Sequence, residues 1–199
     1  SSGTWYKFSV STEGIYKITK TMLQSYGIPA DVDPRTIKIF NNGGYQLSED
    51  VNVNSDNFKE IALKVVGEED GVFNDNDYIL FYARTTNFVD PLSNGNLKRV
   101  FNHFSKSNYY FITSGGNQGK RMQMKSSVQT DDYYEQTTTN NLVYHEIDIR
   151  NIGKSGRIYL GEDFTSANSQ RTFINTLSGR IPGTPINYSV QMVNASQKG

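Results

Sequence analysis

Between Val66 and Tyr78 the chain gathers Glu68, Glu69, Asp70, Asn74, Asp75 and Asp77 in one Asn-rich turn. Oxygen-rich turns of this kind suit Ca²⁺, which takes about six to eight oxygens, often from alternating carboxylates and a carbonyl. Asp70, Asn74, Asp75 and Asp77 are the candidate ligands. The turn lacks the full D-x-D-x-D-G register and its distal bidentate Glu. Asx turns joining two strands use the same residue types without any metal.

The other chemistry-bearing residues are sparse. His103 and His145 are the two histidines of the chain. His145 alternates with Val143, Ile147 and Ile149, which predicts a hydrogen-bonded core or interface histidine. His103, beside Phe101 and Phe104, is expected to pack its aromatic neighbours in a loop. A Ser-His-Asp site would need a positioned serine, and no G-x-S-x-G elbow occurs. Glycosidase-type carboxylate pairs have Glu162-Asp163 and Glu146/Asp148 as candidates by residue type. Neighbours on a strand point to opposite faces, so Glu162 and Asp163 would not converge. Tyr109-Tyr110 and Tyr133-Tyr134, with Trp5, are candidates for a sugar-stacking platform, and alternation turns one tyrosine of each pair inward.

Composition bounds what can position these residues. The chain has 199 residues, 20 basic against 20 acidic, 13 Tyr, 11 Phe and no Cys. That length suits one large or two small domains able to bury a core without disulfides. Balanced charge gives no global field for nucleic acid or an anionic membrane, and Lys98-Arg99 and Lys120-Arg121 are too short for a phosphate footprint. No apolar run approaches the roughly 18 residues of a membrane span. No signal peptide is expected in these residues, since the opening Trp5–Val10 already alternates like a strand; for an exported protein that implies a mature or trimmed product. Without cysteine there is no disulfide framework, thiolate metal site or Cys nucleophile in these residues.

Abundant Tyr, Phe, Asn, Ser, Thr and Gly predict a mostly β, antiparallel sandwich or barrel-like fold. Tyr6, Phe8 and Val10 share a face, and with Ile15 to Ile18 after Glu13-Gly14 they read as a hairpin. One helix is expected over 19–26, capped by Thr19, with Met22, Leu23 and Tyr26 on one face and Gly27 and Pro29 at its end. Further strands are expected at 37–39, over 58–66 with Ile61, Leu63 and Val65 inward, and at 78–83, apolar on both faces. A long irregular loop over 84–107 then precedes strands at 109–113 and 120–125. The polar stretch 126–140 reads as a boundary. Beyond it, strands at 143–149, 157–160, 171–177 and 186–193 predict a second, jelly-roll-like β domain. The expected division is therefore 1–125 and 126–199, the second domain incomplete.

Six phrases in order resemble one family: WYKFSV and EGIYKIT within 5–19, DPRTIKIFNNGG at 33–44, VGEEDGVFNDNDYILFYA at 66–83, NYYFIT at 108–113, SGRIYLGEDF at 155–164, and INYSVQMVNAS at 186–196. Together they resemble the amino-terminal region of the type IX secretion sortase, a gingipain-like cysteine peptidase of Bacteroidetes. The chain departs from the family in lacking a Trp after the Tyr78–Ala83 segment and in carrying Ile158-Tyr159 where a Trp-Tyr pair is usual.

The resemblance implies a peptidase domain lying C-terminal to the matched region, which removes C-terminal signals from secreted cargo and joins the cargo to surface lipopolysaccharide. It implies that this chain is not itself the enzyme but a non-catalytic scaffold, exported to the outer membrane and cell surface. Its expected partners are its own peptidase domain and secretion-system proteins, with no nucleic acid, no cofactor and no membrane span. The alternative expectation is a carbohydrate-binding β-sandwich module of a surface glycan system. A self-contained hydrolase is the remaining rival.

Overall fold

A computed structural model describes residues 3–29, 31–53, 58–92, 96–127, 135, 137–154, 156 and 158–194. They group into two compact units, Ser1–Leu142 and Val143–Gly199. Among the described residues the first holds nine strands: β1 (Trp5–Val10), β2 (Gly14–Thr19), β3 (Lys38–Asn41), β4 (Lys59–Ile61), β5 (Lys64–Val66), β6 (Tyr78–Ala83), β7 (Asn87–Pro91), β8 (Leu97–Phe101) and β9 (Asn108–Thr113). They form a four-stranded sheet in the order β1-β9-β3-β4, a three-stranded sheet β2-β6-β5, and the hairpin β7-β8. All these ladders are antiparallel. The expected mostly β, sandwich-like architecture with one short helix is what the chain adopts.

Alternation decides what each sheet buries. Val10 of β1, Tyr110 and Ile112 of β9 and Ile39 of β3 meet Ile18 of β2, Ile79, Phe81 and Ala83 of β6 and Val65 of β5 in one apolar core. Aromatic rings span the two sheets. Phe8 lies edge-on to Phe81 at 5.9 Å and stacks on Tyr110 at 5.7 Å, and Phe81 approaches Tyr110 at 5.5 Å. Each such pair adds roughly 0.5–1.5 kcal/mol to its area burial.

The expected β1–β2 hairpin does not form. β1 pairs with β9 and β2 with β6, so the two strands lie in opposite sheets. Their apolar faces meet across the core, an arrangement that satisfies the same alternation as lying side by side. The strand expected over 58–66 is broken for a related reason: β4 pairs with β3 and β5 with β6, so the chain changes sheets between Ile61 and Lys64. At the crossing, buried Leu63 donates its N–H to Lys120 and accepts from Met122, in a parallel bridge to Arg121. That bridge is all that forms of the strand expected over 120–125. The loop expected over 84–107 contains the β7–β8 hairpin, closed by Leu92 donating to Asn96 at 2.8 Å. Charged Asp90, Lys98 and Arg99 interrupt its apolar alternation and hide it from a periodicity reading.

The helix α1 (Lys20–Ser25) begins where Thr19 Oγ1 accepts from Met22 N at 3.4 Å. It ends in a Schellman motif: Gly27 N donates to Gln24 O and Ile28 N to Leu23 O. Leu23 and Ile28, both buried, make the apolar contact that accompanies this motif. Met22 stands 38% exposed, while Tyr26 stacks on Phe8 at 5.7 Å.

In the second unit, β10 (Arg150–Asn151) and β11 (Tyr159–Leu160) make a two-residue antiparallel ladder, extended by Ile149 donating to Leu160 at 3.0 Å. The strands expected at 171–177 and 186–193, and most of 143–149, form no ladder among the described residues. Alternation specifies which face a strand would bury, but a ladder also needs a neighbouring strand. No described residue of 143–194 is buried.

Gly27 has φ +93, and a Cβ there would lie 2.7 Å from the Tyr6 ring, whose hydroxyl donates to Gly27 O. Gly27→Ala is expected to lower stability by about 2 kcal/mol, read as a reduced urea midpoint with unchanged slope. A midpoint equal to that of the parent chain would contradict this cap geometry.

Candidate functional site

The acidic turn spends its oxygens internally. A single-turn 3-10 helix, Glu68–Asp70, sits between Gly67 (φ 88) and Gly71 (φ 78). Asp70 accepts from Val72 N at 2.9 Å and Asn74 Nδ2 at 3.1 Å. Asp77, 8% exposed, accepts from Asn74 N at 2.6 Å. Its carboxylate fills the space beside Gly67, where a Cβ would lie 1.9 Å from Oδ1. Asp75 points outward and pairs with Lys20 at 3.2 Å. Among the described residues, no three His, Asp or Glu side chains are grouped to hold a metal ion.

Glu68 is committed to Arg121, which meets both carboxylate oxygens through Nε at 2.8 and 3.1 Å. The same guanidinium donates to the carbonyls of Pro34, Arg35 and Ile37. Both side chains are largely withdrawn from water. Arg121 thus fastens the acidic turn to the segment leading into β3, where Asp33 caps the 3-10 turn Pro34–Thr36 by accepting from Arg35 N at 3.0 Å. The Arg35 guanidinium bonded to Asp33 holds that carboxyl below its ordinary pKa. In sequence, the short Lys120-Arg121 pair carries no sign of this role.

The two histidines each lie against an aromatic ring. His103 meets Phe101 edge-on at 5.0 Å, as its neighbours suggest. His145 is exposed rather than in a core, but it is hydrogen-bonded: Nε2 lies 2.8 Å from Glu162 Oε1, and the ring lies 4.6 Å from Phe173. The His145 bond lowers the Glu162 pKa. Asp163 turns the other way, to Arg150 at 2.8 Å and Arg171 at 3.5 Å. Glu162 and Asp163 therefore diverge, although both lie beyond the strand that ends at Leu160. Glu146 and Asp148 stand exposed. Tyr133-Tyr134 lie outside the described residues.

The feature that sequence reading missed is on the outer face of the four-stranded sheet. Trp5 packs on Phe40 at 5.0 Å and on Phe58 at 5.9 Å. Phe58 stacks on Phe40 at 5.6 Å and lies edge-on to Phe111 at 5.0 Å. Beside this row lies an open groove of about 830 Å³, bounded by the 42–49 and 102–107 loops and floored by Tyr109 and Phe111. The Trp5, Phe40 and Phe111 parities mark one sheet face, but only the β1-β9-β3 pairing shows that they are neighbours. Tyr110 points inward at 2% exposure and Tyr109 outward at 42%, as alternation requires.

A buried polar cluster anchors the near end of the groove. Asn41 Nδ2 donates to Asn108 Oδ1 and Tyr109 O, both at 2.8 Å. Asn108 Nδ2 donates to Arg84 O at 2.8 Å. Tyr110 OH accepts from Arg84 N at 2.8 Å and donates to Arg84 O at 3.1 Å. Among the described residues every buried side-chain N or O has a partner, as low-dielectric burial demands. Burial raises the Tyr110 pKa against an opposing contribution from the Arg84 backbone.

A search of solved structures finds similarity to dimeric latent PorU from Porphyromonas gingivalis, at 24% identity and a TM-score of 0.43 over 63% of this chain. The match covers 11% of that protein, so the chain spans about a tenth of its length. No family model matches the chain, and no curated protein does. No helix among the described residues is long and apolar enough to cross a membrane.

Two expectations follow from this geometry. Asp77→Ala is expected to cost about 2 kcal/mol with or without added Ca²⁺, because a buried acceptor and its turn are lost. A melting temperature that rises several degrees with Ca²⁺ in the parent, and not in Asp77→Ala, would contradict that structural role. Tyr110 has a folded pKa above its unfolded value, so its contribution is whole below about pH 10 and declines as pH rises toward the folded pKa. Tyr110→Phe should be about 1–2 kcal/mol less stable at neutral pH and show a shallower loss of stability at alkaline pH. Parallel stability–pH curves would contradict it.

Proposed function

We propose that this chain is a non-catalytic accessory region that packs on a partner protein domain, as the amino-terminal scaffold of a gingipain-like sortase. The observation that carries the reading is the surface of the second unit. Ile174 is 91% exposed and Tyr188 83%, and Ile149, Ile158, Val190 and Met192 also stand in solvent. These residues belong largely to the alternating segments that form no ladder of their own. So many large apolar side chains in solvent are what an interaction face would carry.

Two further observations support it. The six phrases at 5–19, 33–44, 66–83, 108–113, 155–164 and 186–196 follow the order of the sortase amino-terminal region. The chain contains no cysteine, and its histidines are engaged with Phe101 and with Glu162 and Phe173. In this reading the partner is the chain's own peptidase domain, with secretion-system proteins beyond it, at the outer membrane and cell surface of an exported protein.

Calorimetric titration of the chain with a gingipain-like sortase peptidase domain tests this directly. A saturable complex of roughly micromolar Kd, with a negative heat-capacity change from apolar burial, is expected. The double variant Ile174→Asp, Tyr188→Asp should weaken it at least about tenfold. Absence of binding, or binding indifferent to that variant, would overturn the reading.

A further inference from the structure

We propose that the groove over the outer face of β3 and β9 binds an uncharged oligosaccharide. This inference stands apart from the packing role of the second unit, because it rests on residues of the first unit alone.

The groove combines two kinds of lining. Tyr45, Phe58, Phe104, Tyr109 and Phe111 supply aromatic surface. Phe104 is 68% exposed, so its ring is open to a ligand. Asn42 and Ser107 place a carboxamide and a hydroxyl along the same walls, while Ser48, Asn102 and Ser105 bond the backbone of the turns that shape them. Pyranose rings present exactly these two needs in alternation: apolar C–H faces that lie on aromatic rings, and equatorial hydroxyls that take paired donors and acceptors from amides. The volume of about 830 Å³ lies within the roughly 300–1,000 Å³ of ligand-binding clefts.

Charge selects the occupant. Among the described residues no Lys or Arg lines the groove, and Glu49 is the one carboxylate. An acidic glycan, a phosphate ester or a nucleic acid would find no cation to neutralise it. Lys7 lies outside the lining, with its ammonium 3.8 Å over the Tyr109 ring. It occupies one face of that tyrosine and leaves stacking to Phe104 and Phe58. The groove walls are loops, not a free strand edge, so an extended peptide has no ladder to join there.

The sole tryptophan reports on the site, since Trp5 contacts Phe58, which lines the groove. The full chain is titrated with cellohexaose, maltohexaose and mannohexaose, with an oligogalacturonate, and with an apolar peptide of similar length. Trp5 emission and calorimetry are read together. At least one neutral hexasaccharide should saturate with a Kd of roughly 1 mM or tighter, while the oligogalacturonate does not. Phe104→Ala, with an unchanged melting temperature, should weaken binding about tenfold, and Phe58→Ala should weaken it as well. The proposal is overturned if no neutral hexasaccharide saturates, if binding survives both substitutions unchanged, or if the peptide saturates the groove and the sugars do not.

Discussion

The first unit depends on the meeting of Phe8, Phe81 and Tyr110 between its two sheets. The three rings come from β1, β6 and β9, the strands that carry the longest ladders of either sheet. Removing Phe81 or Tyr110, both buried, would leave a core cavity of the size that costs about 3–5 kcal/mol. Tyr110 does a second job with its hydroxyl. By bonding both the N–H and the carbonyl of Arg84, it fixes where the chain leaves β6 and enters the β7–β8 hairpin. The same packing that closes the core therefore positions one end of the outer groove.

Around that core, two short devices hold the crossings between sheets. Leu63 pairs its backbone on both sides with the 120–122 segment just where the chain passes from β4 to β5. Arg121, next to that contact, ties Glu68 to the carbonyls before β3. A semi-buried ion pair is worth little by itself, but here the guanidinium also bonds the backbone carbonyls of Pro34, Arg35 and Ile37. The acidic turn is best understood as the other half of this clamp, with Asp70 and Asp77 shaping the Asx turns that deliver the chain into β6.

Local signals were legible wherever one short segment decides the outcome. Thr19 capping α1, Gly27 ending it, and the apolar Tyr78–Ala83 strand all appear where their residue types place them. The divergence of Tyr109 from Tyr110 follows from strand alternation alone. Pairing was not legible. Tyr6-Phe8-Val10 and Tyr16-Ile18 bury the same faces whether β1 and β2 are neighbours or lie opposite one another. Only contacts distant in sequence, with β9 and β6, choose between them. The outer aromatic row was hidden for the same reason, because Trp5, Phe40, Phe58 and Phe111 come from four separate segments. His145 shows the limit of parity: its strand segment alternates as expected, yet no opposing sheet among the described residues buries that face.

The two units differ in how they satisfy their sequences. The first buries its alternating residues in a core of its own, while the second exposes residues such as Ile174 and Val190 that the same alternation marks for burial. That contrast is the basis for the packing role proposed for the chain. Hydrogen exchange on the free chain measures it most directly. The account predicts that amides of β1, β2, β6 and β9 exchange only through global unfolding, while those of 171–193 exchange close to the rate of an unstructured chain. Strong, cooperative protection across 171–193 in the free chain would contradict it.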